Sequence, residues 1–98
     1  MDPRTEAFSE KVDASYLRVF GVVIYMYYND HHPPHFHAEY AEREALFAID
    51  TLKILEGDLP RRPHAFVLER ASLHREELRV NWERARQGIS LLSIEPLD

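Results

Sequence analysis

Between Asn29 and Tyr40 the chain reads Asn29-Asp30-His31-His32-Pro33-Pro34-His35-Phe36-His37-Ala38-Glu39-Tyr40, a run that holds four of the six histidines. Imidazole exchanges a proton near neutral pH and is also the commonest ligand for transition metals. Pro33 and Pro34 stiffen the backbone directly before an alternating His-x-His-x-Glu stretch. Read as a strand, that stretch puts His35, His37 and Glu39 on one face and Phe36, Ala38 and Tyr40 on the other.

Three chemistries fit these residues. The first is acid–base cleavage of RNA, as in small metal-independent ribonucleases. His37 would be the base or acid and His35 or Glu39 its counterpart, while Tyr27 would stack on a base or donate a proton. Arg75 or Arg79 would supply positive charge to the phosphorane. The second is a metal site, with His35, His37 and either His31 or Glu39 as ligands for a divalent transition metal such as zinc, one position staying open. In the third the prolines fix a turn, the histidines bond loop carbonyls or Asp30, and the outer face is a dimer or partner surface. Residue types alone do not decide whether the chain is an enzyme.

These side chains need a scaffold. Tyr16 to Tyr28 is rich in aromatic and β-branched residues and reads as a strand, with Gly21 marking a bend or bulge. Asn29 to Pro34 is a loop by composition. His35 to Tyr40 is a short strand, Ala41-Glu42 a tight connection, and Glu44 to Asp50 and Leu52 to Glu56 two further strands. From about Pro63 to Gln87 the pattern turns helical. Val67, Ala71, His74, Leu78, Trp82 and Ala85 form one stripe at spacings of three or four. Pro63 suits a first helical position, Gly88 the residue past the end, and a break near Leu73 would divide the segment in two. The tail from Ile89 to Leu97 is apolar enough to dock on the body. Residues 1–15 read as an N-terminal extension with a short helix around Glu6 to Val12, and residues 16–98 as one domain.

The predicted fold class is α+β: a small antiparallel meander of three or four strands, covered on one face by a C-terminal helix or helix pair. The other face stays open, carrying His35, His37, Glu39, Tyr25 and Tyr27. His74, on the apolar stripe, is expected to be a buried histidine bonded to backbone or sheet, and Trp82 a core anchor.

Ninety-eight residues suffice for one modest core. The chain has no cysteine, which excludes disulfides, thiolate metal sites and a cysteine nucleophile. No apolar run is long enough to span a bilayer, and the polar, acidic N-terminus is unlike a secretory signal, so the expected location is cytoplasmic. The net charge of −5 is unevenly spread. Residues 1–59 carry −6, residues 60–88 carry +3 through seven arginines, and the last ten carry −2. This acidic balance argues against non-specific nucleic-acid binding through bulk charge.

Several segments together carry a resemblance. They are Phe20-Gly21 with the apolar strand after it, Met26 to His31, Pro33 to Tyr40, Glu56-Gly57-Asp58-Leu59-Pro60, Leu73 to Leu78 with Trp82, and the tail Ile94 to Leu97. These resemble a family of small bacterial proteins called domain of unknown function 4160, from roughly Tyr16 to the C-terminus. The extension before Tyr16 is longer than usual for that family, and His32 stands at a variable position, so His31, His35 and His37 carry more weight. Members often sit in two-gene modules beside another small protein, pairs suspected to be toxin–antitoxin systems. The resemblance therefore implies a toxin-like component with a small cognate protein partner; joined to the residue chemistry above, the expectation is a protein acting on or binding RNA through the His/Tyr/Glu sheet face. Metal binding through His35 and His37 is the alternative, and a non-enzymatic interaction module the third reading. A homodimer is a further expectation.

Overall fold

Valine, isoleucine and tyrosine at 22–27, and alternating large and small side chains at 35–48, favour pleated backbone over helix. In the computed structural model, which describes residues 11–12, 18–19, 21–92 and 94, both segments are strands. The elements in chain order are β1 (Lys11–Val12), β2 (Arg18–Val19), β3 (Val22–Tyr27), β4 (His35–Tyr40), β5 (Arg43–Ala48), β6 (Ile54–Gly57), α1 (Arg61–Leu73) and α2 (Arg75–Arg86). β3, β4, β5 and β6 form the antiparallel meander, and the two-residue strands β1 and β2 both pair with β3. The architecture is the predicted α+β fold.

Details of the N-terminal reading differ. Lys11 and Val12, expected at the end of a short helix, pair as strand with Tyr27 and Met26, so part of the extension joins the sheet. Residues 6–10 of that expected helix lie outside the described residues. Gly21, at φ +79°, sits in the turn that lets Val19 pair with Val22, rather than in a bulge.

The register decides which side chains share a face. Tyr25 pairs with His37, and His37 with Leu46; Val23 pairs with Glu39, and Glu39 with Glu44. On the opposite face Val22, Ile24, Met26, Phe36, Ala38, Ala45 and Phe47 are buried against Val67, Ala71, Leu78, Trp82 and Ala85 of the helices. Phe36 and Phe47, directly opposed in the ladder, stack with ring centroids 5.3 Å apart. The helical stripe read from the sequence is therefore the core stripe, and Phe36 and Ala38 do point to the helices.

α1 begins at Arg61, two residues before the predicted start. Pro63 is tolerated there because N–H groups of the first turn have no intrahelical acceptor. The expected break falls at His74, whose N–H is shared between the carbonyls of Arg70 and Ala71. α2 ends in a tightened turn: Gly88, at φ +73°, donates to the Ala85 carbonyl and Ile89 to that of Arg84. The tail then docks. Fully buried Asn81 donates to the Leu92 carbonyl at 2.9 Å and accepts from the Leu92 N–H at 2.8 Å, while Leu91 and Ile94 enter the core. Among the described residues no helix is long and apolar enough to cross a membrane.

Gly57 is required by a close approach. A Cβ there would lie 2.1 Å from the Glu44 carbonyl oxygen, and its φ of +75° is one that L side chains rarely adopt. That carbonyl accepts the Asp58 N–H at 3.2 Å, which ties the end of β6 to Glu44. Gly57→Ala is expected to destabilise the protein by about 1–3 kcal/mol or more, lowering the melting temperature by several degrees. Thermal unfolding followed by circular dichroism checks this; an unchanged midpoint would refute the close approach.

Candidate functional site

The loop from Asn29 to Pro34 is held at both ends. The Asn29 N–H donates to the Ala85 carbonyl in the last turn of α2 at 3.0 Å, and the Ile49 N–H donates to the Pro34 carbonyl at 3.0 Å. Asn29 has φ +54°, and left-handed backbone is tolerated by asparagine better than by most residues. The loop so anchored folds back over the start of β4 and carries the Asp30 carboxylate onto the two histidines.

Asp30 Oδ2 lies 3.0 Å from His35 Nε2 and 3.4 Å from His37 Nε2. These three atoms all fall within 4.8 Å of one another. The remaining polar atom of each residue has its own partner. His35 Nδ1 donates to the Pro33 carbonyl at 2.8 Å. His37 Nδ1 lies 3.3 Å from Glu44 Oε2, the same oxygen that accepts a hydrogen bond from the Tyr25 hydroxyl. Asp30 Oδ1 accepts from the His31 N–H at 2.8 Å and faces His31 Nδ1 at 2.9 Å.

Aromatic rings enclose the cluster. Tyr25 stacks on His37 at 5.0 Å, Tyr27 meets His37 edge-on at 4.7 Å, and Trp82 of α2 lies 5.1 Å from His35. His35 is 2% exposed and His37 8%. The sequence placed both histidines on an open face, and the structure corrects this. The returning loop and the rings of Tyr25, Tyr27 and Trp82 cover most of both imidazoles.

The electrostatics follow from this packing. Burial alone would push the Asp30 carboxyl up, but hydrogen bonds from His35, His37 and the His31 backbone outweigh it and hold the carboxyl well below the usual range. Burial pulls His35 down, but Asp30 and the Pro33 carbonyl together raise it. The geometry agrees: both His35 ring nitrogens face acceptors, the Pro33 carbonyl and Asp30 Oδ2. Burial, then the bond to Glu44, raises the Tyr25 phenol far above its ordinary value and keeps it neutral.

The predicted residues fare unequally. His35, His37 and Tyr27 come together. His31 lies at the rim, its side chain 82% exposed, bonded to Asp30 and with its ring 5.6 Å from that of His35. Glu39 stands two pairs along the ladder, opposite Glu44, and Glu44 is the acid that meets His37. Arg79 binds Asp50 and Glu76. Arg75 opens α2, seven residues and about 10 Å of helix axis before Trp82, away from the end that meets the loop. His74 pairs with Glu77 at 2.6 Å, at the junction of the two helices. Glu44 was missed as a site residue although a signal existed. A two-residue connection at Ala41-Glu42 forces residue 39 opposite 44, which puts Glu44 on the histidine face. Asp30 was named only as a hydrogen-bond partner, and no periodicity marks a loop residue that folds back.

The pH dependence of stability has a definite sign. His35 is raised on folding, so its contribution is full below the ordinary imidazole range near 6.5 and is lost as pH rises through its folded value. Asp30 is lowered, so its contribution is present above about pH 4 and is lost on acidification. The metal-free protein is therefore expected to melt at lower temperature at pH 8 than at pH 6, and Asp30→Asn to flatten that difference. Parallel pH slopes for wild type and variant would disprove the coupling.

Comparison with known proteins gives one match. A family model described as a domain of unknown function (DUF4160) matches residues 21–83. No curated protein and no solved structure matches the chain. The matched segment begins at the turn before β3 and ends one residue past Trp82, and it contains Asp30, His35, His37 and Glu44. Since it spans well over half of the sequence, the chain belongs to the DUF4160 family.

Proposed function

We propose that this protein binds a divalent transition-metal ion through Asp30 Oδ2, His35 Nε2 and His37 Nε2. The observation that supports this best is the anchoring of the other polar atom of each residue. Metal-bound histidines typically donate their second N–H to a carbonyl or carboxylate, which fixes the tautomer and aims the other nitrogen. His35 does so to Pro33 and His37 to Glu44, and His31 holds the far oxygen of Asp30.

The spacing also suits an ion. Tetrahedral donors about 2.1 Å from zinc lie about 3.4 Å apart. The two Asp30 separations are 3.0 and 3.4 Å, and all three candidate atoms lie within 4.8 Å of one another. Two imidazoles and one carboxylate suit zinc, iron(II), nickel or manganese, whereas magnesium and calcium favour all-oxygen sites. Three protein ligands leave a position for water or substrate, as catalytic sites do and closed structural sites do not. Such an ion would polarise a bound carbonyl or phosphoryl group, or lower the pKa of a bound water.

The RNA-directed reading uses the same histidines but needs a cation at the phosphate. Arg79 is already engaged by two carboxylates, and Arg75 lies at the other end of α2. Asp30 and Glu44 add negative charge beside the histidines. The arrangement therefore favours a metal over metal-free phosphodiester cleavage.

The test is a metal titration of protein stripped with a chelator. Zinc at 100 times its dissociation constant is expected to add about 2.7 kcal/mol of stability, raising the melting temperature by about 10 °C or more. Asp30→Asn is expected to lose most of that shift. No shift with zinc, nickel, iron(II) or manganese, and no metal in protein as isolated, would overturn the proposal. RNA cleavage that persists in chelator and is lost in His37→Ala would put acid–base chemistry in its place.

A further inference from the structure

Glu44 is close to the candidate centre yet cannot ligate the same ion. It approaches His37 from Nδ1, and the ion would sit beyond Nε2. The width of the ring and a metal–nitrogen distance of about 2 Å put Glu44 about 7 Å from the ion. Its carboxylate therefore acts on the ligand. Glu44 Oε2 takes two partners at once, His37 Nδ1 and the Tyr25 hydroxyl.

Tyr25 is a second unusual choice. It is 2% exposed on β3, where phenylalanine would fill almost the same volume without a polar group to bury. A buried hydroxyl is costly unless bonded, and this one is spent on Glu44. The Tyr25 ring also stacks on His37 with an interplanar angle of 15°, so one residue restrains both the imidazole and its carboxylate partner. Glu44 is held from below as well, because its carbonyl accepts the Asp58 N–H beside Gly57.

We infer that Tyr25 and Glu44 are positioning residues of the metal centre: they hold His37 as its Nδ1–H tautomer with Nε2 aimed at the ion, and so set metal affinity. The inference rests on the metal-binding reading and names the groups that tune it. A carboxylate behind a ligand histidine raises the basicity of the ligating nitrogen as well as orienting it. Tyr25 in turn fixes which way the half-exposed Glu44 side chain points, since an unrestrained glutamate would sample several rotamers.

The experiment compares wild type with Glu44→Ala, Glu44→Gln and Tyr25→Phe, each checked for folding by its metal-free melting curve. Zinc affinity is measured by competition with a chromophoric chelator. Loss of the carboxylate in Glu44→Ala is expected to weaken zinc binding about 10–100-fold. Glu44→Gln, which keeps an acceptor for His37, is expected to lose less, and Tyr25→Phe to weaken binding several-fold. The second readout is the His37 tautomer in the zinc-bound state, from proton–nitrogen correlation of the imidazole. It is expected to be Nδ1–H in wild type and Glu44→Gln, and mixed in Glu44→Ala, a change that altered stability alone does not produce. Folded variants that bind zinc as wild type does, with His37 unchanged, would overturn the inference and leave the metal site standing. Wild type that binds none of zinc, nickel, iron(II) and manganese, and carries no metal as isolated, would overturn both. If Glu44→Ala does not fold, Glu44→Gln and Tyr25→Phe decide by the same affinities.

Discussion

The Asp30 carboxylate between two nearly buried imidazoles is the interaction on which the rest of this structure depends. A carboxylate removed from water is unfavourable unless each oxygen is bonded. Here Oδ2 faces two ring nitrogens, and Oδ1 takes the backbone and side chain of His31. Satisfying that group sets the path of the loop from Asn29 to Pro34. The loop in turn needs the end of α2 to receive the Asn29 N–H and the segment after β5 to donate to Pro34. The helices are thus more than a lid on the core. The last turn of α2 positions the loop, and Trp82 packs beside His35.

The sheet contributes rigidity and register. His35 and His37 alternate on one strand, so their separation is set by the backbone repeat and not by side-chain flexibility. β3 supplies Tyr25 and Tyr27 on the same face, and β5 supplies Glu44 from a two-residue hairpin. Candidate ligands placed on a strand with anchored outer atoms are pre-organised. A bound ion would have little ordering entropy to overcome. The same geometry thus gives both His35 ring nitrogens an acceptor and brings one atom each of Asp30, His35 and His37 within 4.8 Å of one another.

Much of this was legible in the residues. The meander, the helix pair with its break at His74, and the buried stripe from Val67 to Ala85 follow from local periodicity and turn chemistry. These signals act over a few residues and survive folding unchanged. The face shared by His35 and His37 follows from alternation alone. Exposure did not follow. Alternation says which side of a sheet a side chain occupies, but not what lies over it, and the covering loop and rings come from three other segments. Asn81 illustrates the same gap. In sequence it is one more polar residue on a helix, and only the docked tail shows that both of its amide groups are bonded to Leu92.

The sequence by itself determined the secondary structure of the meander and helices, the apolar faces and the set of groups able to do chemistry, because each depends on residue type and near-neighbour spacing. Only the tertiary structure decided which acids meet the histidines. Asp30 arrives through a loop that closes onto β4; the hairpin register puts Glu39 and Glu44 opposite each other on the histidine face, and the packing decides that Glu44 is the one bonded to His37 and Tyr25. Contacts of that kind depend on how distant backbone segments are brought together, and no local pattern encodes that distance.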